Sequence, residues 1–218
     1  ERPSSMARRK TTASHHLFGG VNADFFTTGA SSIAEGTNCY IYGRPSGCVI
    51  VDHEVTTLQS NRRQSFAVDS SNNPYIGAIT RRMQAVVAGD TLSIYNINYS
   101  RSAGKLTLFN HWNGKRTTAC TPGTEVQLLP LPGEGWGICS TTRCTVQRVE
   151  RNNGRMLIPD GMVVLSGSGV MADALDRLSA GDTVPVIMDM LIGNQAVDIA
   201  HSVGGPDATK YAQMLRDG

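Results

Sequence analysis

The sequence predicts an α+β fold that is rich in strand, with short strands in mixed or antiparallel sheets and two or three helices. Three observations support this expectation. Glycine is abundant, at 23 of 218 residues, and charged residues make up only 17%, which is typical of a globular protein with many loops. Short runs of alternating apolar and polar residues recur through the middle of the chain. Helical spacing of apolar residues is confined to two segments in the C-terminal third.

The N-terminal half is predicted to contain a linker, two strands and a hairpin. Residues 1–17 are polar and are expected to form an exposed linker. Apolar residues that alternate or run continuously predict a strand over 21–26, a short buried strand over 49–51, and a hairpin of 66–68 with 75–79. The hairpin segments flank a run of serine, asparagine and proline, which is typical of a turn.

The second half is predicted to contain further strands, one long loop and both helices. Apolar runs predict strands over 91–97, 106–109, 124–129, 144–149 and 184–192. Two prolines and three glycines make 130–137 a loop. Apolar residues at helical spacing predict one helix over 170–178, ending before Gly181, and a last helix over 208–215.

Composition limits the classes of function. The formal charge of +2 and the lack of a long basic run argue against nucleic-acid binding. No apolar run reaches the roughly 20 residues that a membrane-spanning helix requires. The length fits one large domain or two small ones, and we expect one domain over 1–218. Five cysteines leave at least one unpaired within the chain. Cys139 and Cys144 could form a disulfide, or they could bind zinc together with Cys120 and His111.

The segment after Gly20 carries the clearest candidate site. In a strand, Asn22 and Asp24 point to the same face, while Val21 and Phe25 point to the other. An amide and a carboxylate fixed side by side on a strand and flanked by aromatic rings could form a polar site with an apolar wall. The alternative is that both side chains bond the backbone of a turn.

Several segments, in their order along the chain, resemble the phosphodiester glycosidase family. This family includes the enzyme that removes N-acetylglucosamine from mannose 6-phosphate groups and many secreted bacterial proteins. The matching segments include the glycine pair with Asn22 and the two phenylalanines, the Ile-Asn-x-x-Arg motif with Asn98 and Arg101, the Gly-Thr-Glu-Val segment at 123–126, Leu-Ser-Gly at 165–167, and the glycine pair Gly204-Gly205 before Pro206. The family's later Arg-Thr-Ala and Leu-Asp-Gly-Gly-Gly-Ser-Ser motifs are absent, so we expect the domain to be incomplete at its C-terminus.

The resemblance implies a hydrolase that cleaves the bond between an N-acetylglucosamine-type sugar and a phosphodiester in glycans. It also implies a secreted, periplasmic or cell-surface location, and a second polypeptide could complete the domain. No cofactor and no metal are needed for this chemistry. The alternative is a scaffold without catalysis: either a carbohydrate-binding module, which would expose an aromatic ring such as Trp112 or Trp136, or a structural cell-surface domain.

The implied reaction assigns roles to particular residues. A phosphate leaving group departs without strong protonation, so the site needs donors for the phosphate and one carboxylate to activate water. Asn22 and Asp24 are the catalytic candidates. The substrate-binding candidates are Gly20, Arg44, Asn98, Arg101, Gly204 and Gly205, with the two arginines as phosphate clamps and the last two glycines as backbone donors ahead of a helix.

Overall fold

The protein is described from a computed structural model, in which residues 3–14, 24, 26, 44–58, 63–119 and 121–207 are described. This part of the chain contains two short α-helices, α1 (Pro3–Lys10) and α2 (Val170–Leu175), and a 3-10 turn at His111–Asn113. Its twelve strands are β1 (Val49–Val51), β2 (Glu54–Thr57), β3 (Arg63–Asp69), β4 (Pro74–Val87), β5 (Asp90–Ile97), β6 (Leu106–Phe109), β7 (Gly123–Pro130), β8 (Ser140–Asn153), β9 (Val163–Gly167), β10 (Thr183–Ile192), β11 (Gln195–Ala196) and β12 (Ile199–Asp207).

Seven of the strands form a closed barrel. Their order around the barrel is β4–β5–β6–β9–β7–β8–β10, and β10 closes it by pairing with β4 from Ile192↔Ile79 to Val186↔Ala85. Within the barrel β5 and β6 run parallel, and the other neighbours are antiparallel. The predicted α+β class is therefore wrong, because this is a β-barrel fold with little helix. Closure joins strands that are far apart in the chain, and local periodicity carries no information about such pairing.

Four further strands extend the sheet from the N-terminal half of β4. They follow the order β3–β12–β1–β2, with every neighbouring pair antiparallel. The long strand β4 therefore connects the barrel with these four strands, since its residues 74–78 pair with β3 and its residues 84–87 pair with β5. This extension carries the segments that surround the predicted site.

The apolar core follows from the two-residue period of the strands. In β10, Val184, Val186, Met188 and Met190 are buried, while the residues between them are only partly buried. Such side chains from the barrel strands and from β1 and β2 form one continuous buried cluster. Fully burying one side chain of this size stabilises the fold by about 1.5–3 kcal/mol. A smaller cluster, centred on Phe109, lies beside it.

Most local predictions are confirmed. The predicted strands from 49–51 onward lie within observed strands, and the hairpin pairs Phe66 with Ile76. The helix predicted over 170–178 is observed as the shorter α2. Within the predicted linker over 1–17, residues 3–10 form α1, a helix that the sequence did not predict, and residues 15–17 lie outside the described residues. The last predicted helix, over 208–215, lies outside the described residues.

The cysteines of the described residues are not cross-linked. Cys48, Cys139 and Cys144 are free thiols, so the proposed disulfide is not formed. Cys144 is fully buried, whereas Cys139 is exposed.

The described residues contain no His, Cys, Asp or Glu cluster that could hold a metal ion, and Cys120 lies outside them. No described helix has both the length and the apolar character needed to cross a bilayer.

Candidate functional site

The Asp24 carboxylate lies between Gly47, in the turn before β1, and Gly204, in β12. Its Oδ2 accepts a hydrogen bond from the backbone N–H of Gly47 at 2.7 Å. A Cβ built on Gly47 would lie 2.8 Å from this oxygen, and a Cβ built on Gly204 would lie 2.9 Å from it. Neither position has room for a side chain, so the carboxylate occupies space that only glycines leave open. We call this arrangement the glycine cradle.

The glycine cradle follows from the strand register. Ile50 pairs with Ser202, and this pairing of β1 with β12 brings Gly47 next to Gly204, with the Gly204 Cα 2.9 Å from a Cβ built on Gly47. A bridge between Phe26 and Pro45 aligns the Asp24 segment antiparallel to the same turn. Asp24 itself has a φ of 61°, a left-handed conformation that aspartate tolerates better than most residues.

The turn before Gly47 is fixed by Tyr99. The Tyr99 hydroxyl donates to the Pro45 carbonyl at 2.6 Å, and the Arg44 guanidinium carbon lies 4.9 Å from the centre of the Tyr99 ring. Arg44 is buried, and its Nη2 donates to Asn113 Oδ1 at 3.2 Å. These contacts place the Gly47 N–H against Asp24. Arg44 thus holds the turn from inside the fold, and its role as a phosphate clamp stays a prediction.

Asn98 belongs to an internal amide network. Its side-chain nitrogen donates to the Thr56 carbonyl at 2.8 Å and to Asn110 Oδ1 at 2.6 Å, and its Oδ1 accepts the Asn110 N–H at 2.9 Å. The residue is buried and has a φ of 56°, which suits asparagine. Both polar atoms of its side chain are used in joining β2, β5 and the end of β6. Its predicted role in substrate binding stays a prediction.

Arg101 lies in a second buried polar network, next to Gly123. Its Nη1 donates to Ser166 Oγ at 2.5 Å, and its Nη2 donates to the Thr121 carbonyl. Ser166 in turn donates to Glu125 Oε1 at 2.8 Å. A Cβ on Gly123 would lie 2.6 Å from the Arg101 guanidinium carbon, so this glycine leaves room for the arginine. The structure therefore places Arg101 within the fold, and phosphate binding by it stays a prediction.

The remaining predicted residues divide into two groups. Gly20 and Asn22 lie outside the described residues. Gly204 and Gly205 lie within β12, and the helix predicted to follow them at 208–215 lies outside the described residues, so their role as backbone donors stays a prediction. The structure thus brings Asp24 together with Gly204 and with Gly47. The hydrogen bond from the Gly47 N–H to Asp24 is the contact with turn backbone that the sequence left open as the alternative for this side chain.

A groove with cationic side chains, which the sequence did not indicate, lies beside β4. Arg81 and Lys105 both lie over the Tyr95 ring, in a groove of about 480 Å³ beside β4. Burial raises the pKa of the Cys48 thiol to about 12; Arg81 lowers this pKa and Asp24 raises it. No sequence pattern near Arg81 indicates the groove, because the groove depends on how β4 is paired.

A substitution in the glycine cradle tests its geometry. In Gly47→Ala, the new Cβ would overlap Asp24 Oδ2 and the Gly204 backbone, and the backbone cannot move aside cheaply. We expect the free energy of unfolding to fall by about 1–3 kcal/mol, as for other overpacked sites. Urea unfolding measures this. Gly135→Ala is the matched control, because nothing lies within 4 Å of its Cβ. Equal unfolding midpoints for the two variants would contradict the described cradle.

Comparisons with known proteins concern the fold. No protein-family model and no curated protein sequence matches the chain. Among solved structures, a Burkholderia pseudomallei protein whose name describes it as exported is similar with a TM-score of 0.61 at 15% identity, over 88% of this chain and 43% of that one. A hypothetical protein from Synechocystis is similar with a TM-score of 0.58 at 14% identity, over 85% of this chain and 31% of that one. The chain therefore spans less than half the length of these two proteins and shares their fold.

Proposed function

We propose that the protein hydrolyses the bond between an N-acetylglucosamine-type sugar and a phosphodiester, with Asp24 as the general base. The observation that carries this proposal is the glycine cradle, in which Asp24 meets Gly47 and Gly204. A carboxylate held by a backbone N–H at 2.7 Å, on a half-buried side chain, has a fixed position and access to water. The order of motifs that resembles the phosphodiester glycosidase family supplies the substrate class.

The proposed reaction proceeds without a cofactor. Water attacks the anomeric carbon of the sugar, and its proton passes to the Asp24 carboxylate. The bond between the anomeric carbon and the phosphate oxygen breaks, and its electron pair leaves with the phosphate. The products are the free sugar and a phosphomonoester of the second substituent. The leaving phosphate needs little protonation, since its second pKa is about 6, which explains why one carboxyl group is sufficient.

The direct test uses an N-acetylglucosamine 1-phosphodiester with a methyl group as its second substituent. We expect the protein to release N-acetylglucosamine and methyl phosphate in equal amounts, which phosphorus NMR and a reducing-sugar assay measure independently. A methyl glycoside of the same sugar, which lacks the phosphate, should not be cleaved. Release of methanol would contradict the proposal, and so would the absence of release above that of heat-denatured protein when the segment or polypeptide that completes the site is present.

The substrate would be met outside the cytoplasm. The Burkholderia pseudomallei protein of similar fold is named as exported, and this supports a secreted, periplasmic or cell-surface location for the present chain. Both similar structures are more than twice as long as the matched region. A further segment or a second polypeptide is therefore proposed to complete the substrate site, with Asn22 as a donor to the sugar or phosphate.

Carbohydrate binding without catalysis is the second candidate. Its favouring observation is Trp112, whose side chain is 46% exposed and whose Nε1 donates to Glu54 Oε2 at 3.0 Å. An exposed indole beside a carboxylate offers an apolar face and a hydrogen-bond acceptor to a sugar ring. Trp136 is less suited, because it packs against the core and donates to the Gly161 carbonyl. Glycan binding that is lost in Trp112→Ala and retained in Asp24→Asn, without turnover by either protein, would favour this candidate.

A further inference from the structure

A smaller cavity lies beside the turn between β1 and β2. Its volume is about 180 Å³, which is far more than a single ordered water needs. The lining comes from β2 and its preceding turn, from the 3-10 turn at His111–Asn113, and from the loops before β8 and β9. Gly47 precedes β1 and this turn follows it, so the cavity and the glycine cradle are at opposite ends of β1.

The floor of the cavity is apolar and belongs to the barrel core. It consists of four buried side chains from β2, β6, β9 and β10, which are Val55, Leu108, Val163 and Met188. Trp136 adds an indole ring to the lining, and its Nε1 donates to the Gly161 carbonyl at 3.1 Å. A short apolar group would therefore find a dry, preformed surface here.

Glu54 supplies the charge of this cavity. Its Oε2 accepts the Trp112 Nε1–H at 3.0 Å and lies 3.4 Å from His111 Nε2. Among the described residues, no donor contacts its other oxygen, Oε1. Glu54 is also the one carboxylate among the described lining residues, which include no lysine and no arginine. With the lining imidazoles neutral, the cavity has a net negative charge.

The two histidines of the lining, His53 and His111, add acceptors. An ionised carboxylate only accepts hydrogen bonds, so the contact of 3.1 Å between His53 Nδ1 and Asp198 Oδ1 requires the ring proton on Nδ1. The Nε2 of the neutral ring is then an acceptor. By the same argument, the Glu54 carboxylate favours the His111 proton on Nε2, which leaves Nδ1 as an acceptor.

A primary ammonium ion matches these features better than an uncharged sugar does. It has three N–H donors, no acceptor and one positive charge, whereas each sugar hydroxyl also brings lone pairs that need donors. An indole ring in the lining also attracts a cation. A metal ion is a poorer match, because no group of His, Cys, Asp and Glu within the described chain is arranged to hold one.

We infer that this cavity binds a small primary organic ammonium ion. The apolar stem of the ligand lies on the buried floor, and its N–H groups donate to Glu54 Oε1 and to the acceptor nitrogens of His53 and His111. This inference goes beyond the proposed hydrolase, because it uses no residue of the glycine cradle.

Nuclear magnetic resonance titration with butylamine tests the inference, at about pH 8 so that the amine is charged and imidazole is neutral. Both tryptophans of the chain report on the cavity, since Trp136 lines it and Trp112 donates to Glu54. We expect butylamine to shift both indole N–H signals. It should bind about tenfold or more tightly than 1-butanol, which has the same stem without the charge.

Glu54→Gln removes the charge and keeps an oxygen for the Trp112 indole. In this variant the preference for butylamine over 1-butanol should fall to about twofold or less, because the charge-assisted hydrogen bond is lost. The affinity for 1-butanol should stay at the wild-type value, which shows that the cavity still forms. The control Asp173→Asn removes an exposed carboxylate of α2 outside the cavity and should retain the full preference.

Three outcomes would overturn the inference. The first is equal affinity of the wild type for butylamine and 1-butanol, a result that does not depend on how any variant folds. The second is a Glu54→Gln variant that keeps the preference for the amine. The third is a shift of the indole signals by the methyl glycoside of N-acetylglucosamine and none by butylamine, which would favour the carbohydrate-binding candidate. All three concern binding alone and are separate from the hydrolysis assay.

Discussion

Asp24→Asn is expected to lower kcat on the sugar phosphodiester by about 100- to 10,000-fold, the usual contribution of a general base. Asparagine has almost the same shape, and its Oδ1 can still accept the Gly47 N–H that Asp24 accepts at 2.7 Å. Asparagine also tolerates the left-handed φ of 61° at this position. The variant therefore removes the carboxylate and retains the backbone contact, so the loss should fall on the chemical step.

The measurement is the initial rate of N-acetylglucosamine release over a range of substrate concentrations, with urea unfolding in parallel. Asp160→Asn is the matched control, because it removes one exposed carboxylate elsewhere on the surface, and it should keep the wild-type kcat. If Asp24→Asn hydrolyses the diester at the wild-type rate, Asp24 has no part in the chemistry and the carboxylate serves the fold alone.

Local features of this fold could be predicted from the sequence. The hairpin of β3 and β4 is encoded by two alternating segments on either side of a turn in which Asp69 Oδ1 accepts the N–H groups of Ser71 and Asn73. The buried strand β10 is encoded by its apolar run, although Asp189 interrupts it. The structure pairs that aspartate with Arg82 on the neighbouring strand β4. Each of these signals acts within one strand or between strands joined by a short turn.

The fold class could not be predicted in the same way. Barrel closure requires β10 to pair with β8 on one edge and with β4 on the other. The residues of β10 and β4 are separated by most of the barrel sequence, and no pattern in either strand specifies its partner. The helix over 170–178 was predicted to be too long, because α2 ends at Leu175 and the strands around it supply most of the buried surface.

The site was predictable only in part. The glycines and Asp24 carry a local signal, because glycine marks a close approach of backbone and other groups. The motif arginines Arg44 and Arg101 were chosen for their charge, yet the structure buries both within the fold. Arg81, which lies in the groove, is followed directly by a second arginine, Arg82. Nothing in the local sequence tells the two arginines apart, and only the pairing of β4 gives them different surroundings. Charge in a sequence therefore indicates that a side chain can bind an anion, and the strand register decides whether it can reach one.

Glu125→Ala is expected to reduce the free energy of unfolding by about 3–5 kcal/mol, because it leaves several buried donors without an acceptor. Glu125 is fully buried. Its Oε2 accepts from Thr117 Oγ1 at 3.0 Å and from the Met156 N–H at 2.9 Å, and its Oε1 accepts from Ser166 Oγ at 2.8 Å. Urea or thermal unfolding measures the loss. The control Asp90→Ala breaks the exposed pair with Arg177 and should cost less than about 1 kcal/mol.

The same network determines how Arg101 should behave. Arg101 reaches Glu125 through Ser166, so Arg101→Ala and Glu125→Ala act on one set of hydrogen bonds. The double variant should lose less stability than the sum of the two single variants, since the second substitution removes partners that are already lost. An additive cycle would contradict this coupling. If Arg101 instead served as a phosphate clamp, Arg101→Ala would raise KM for the diester and leave the unfolding midpoint near that of the wild type.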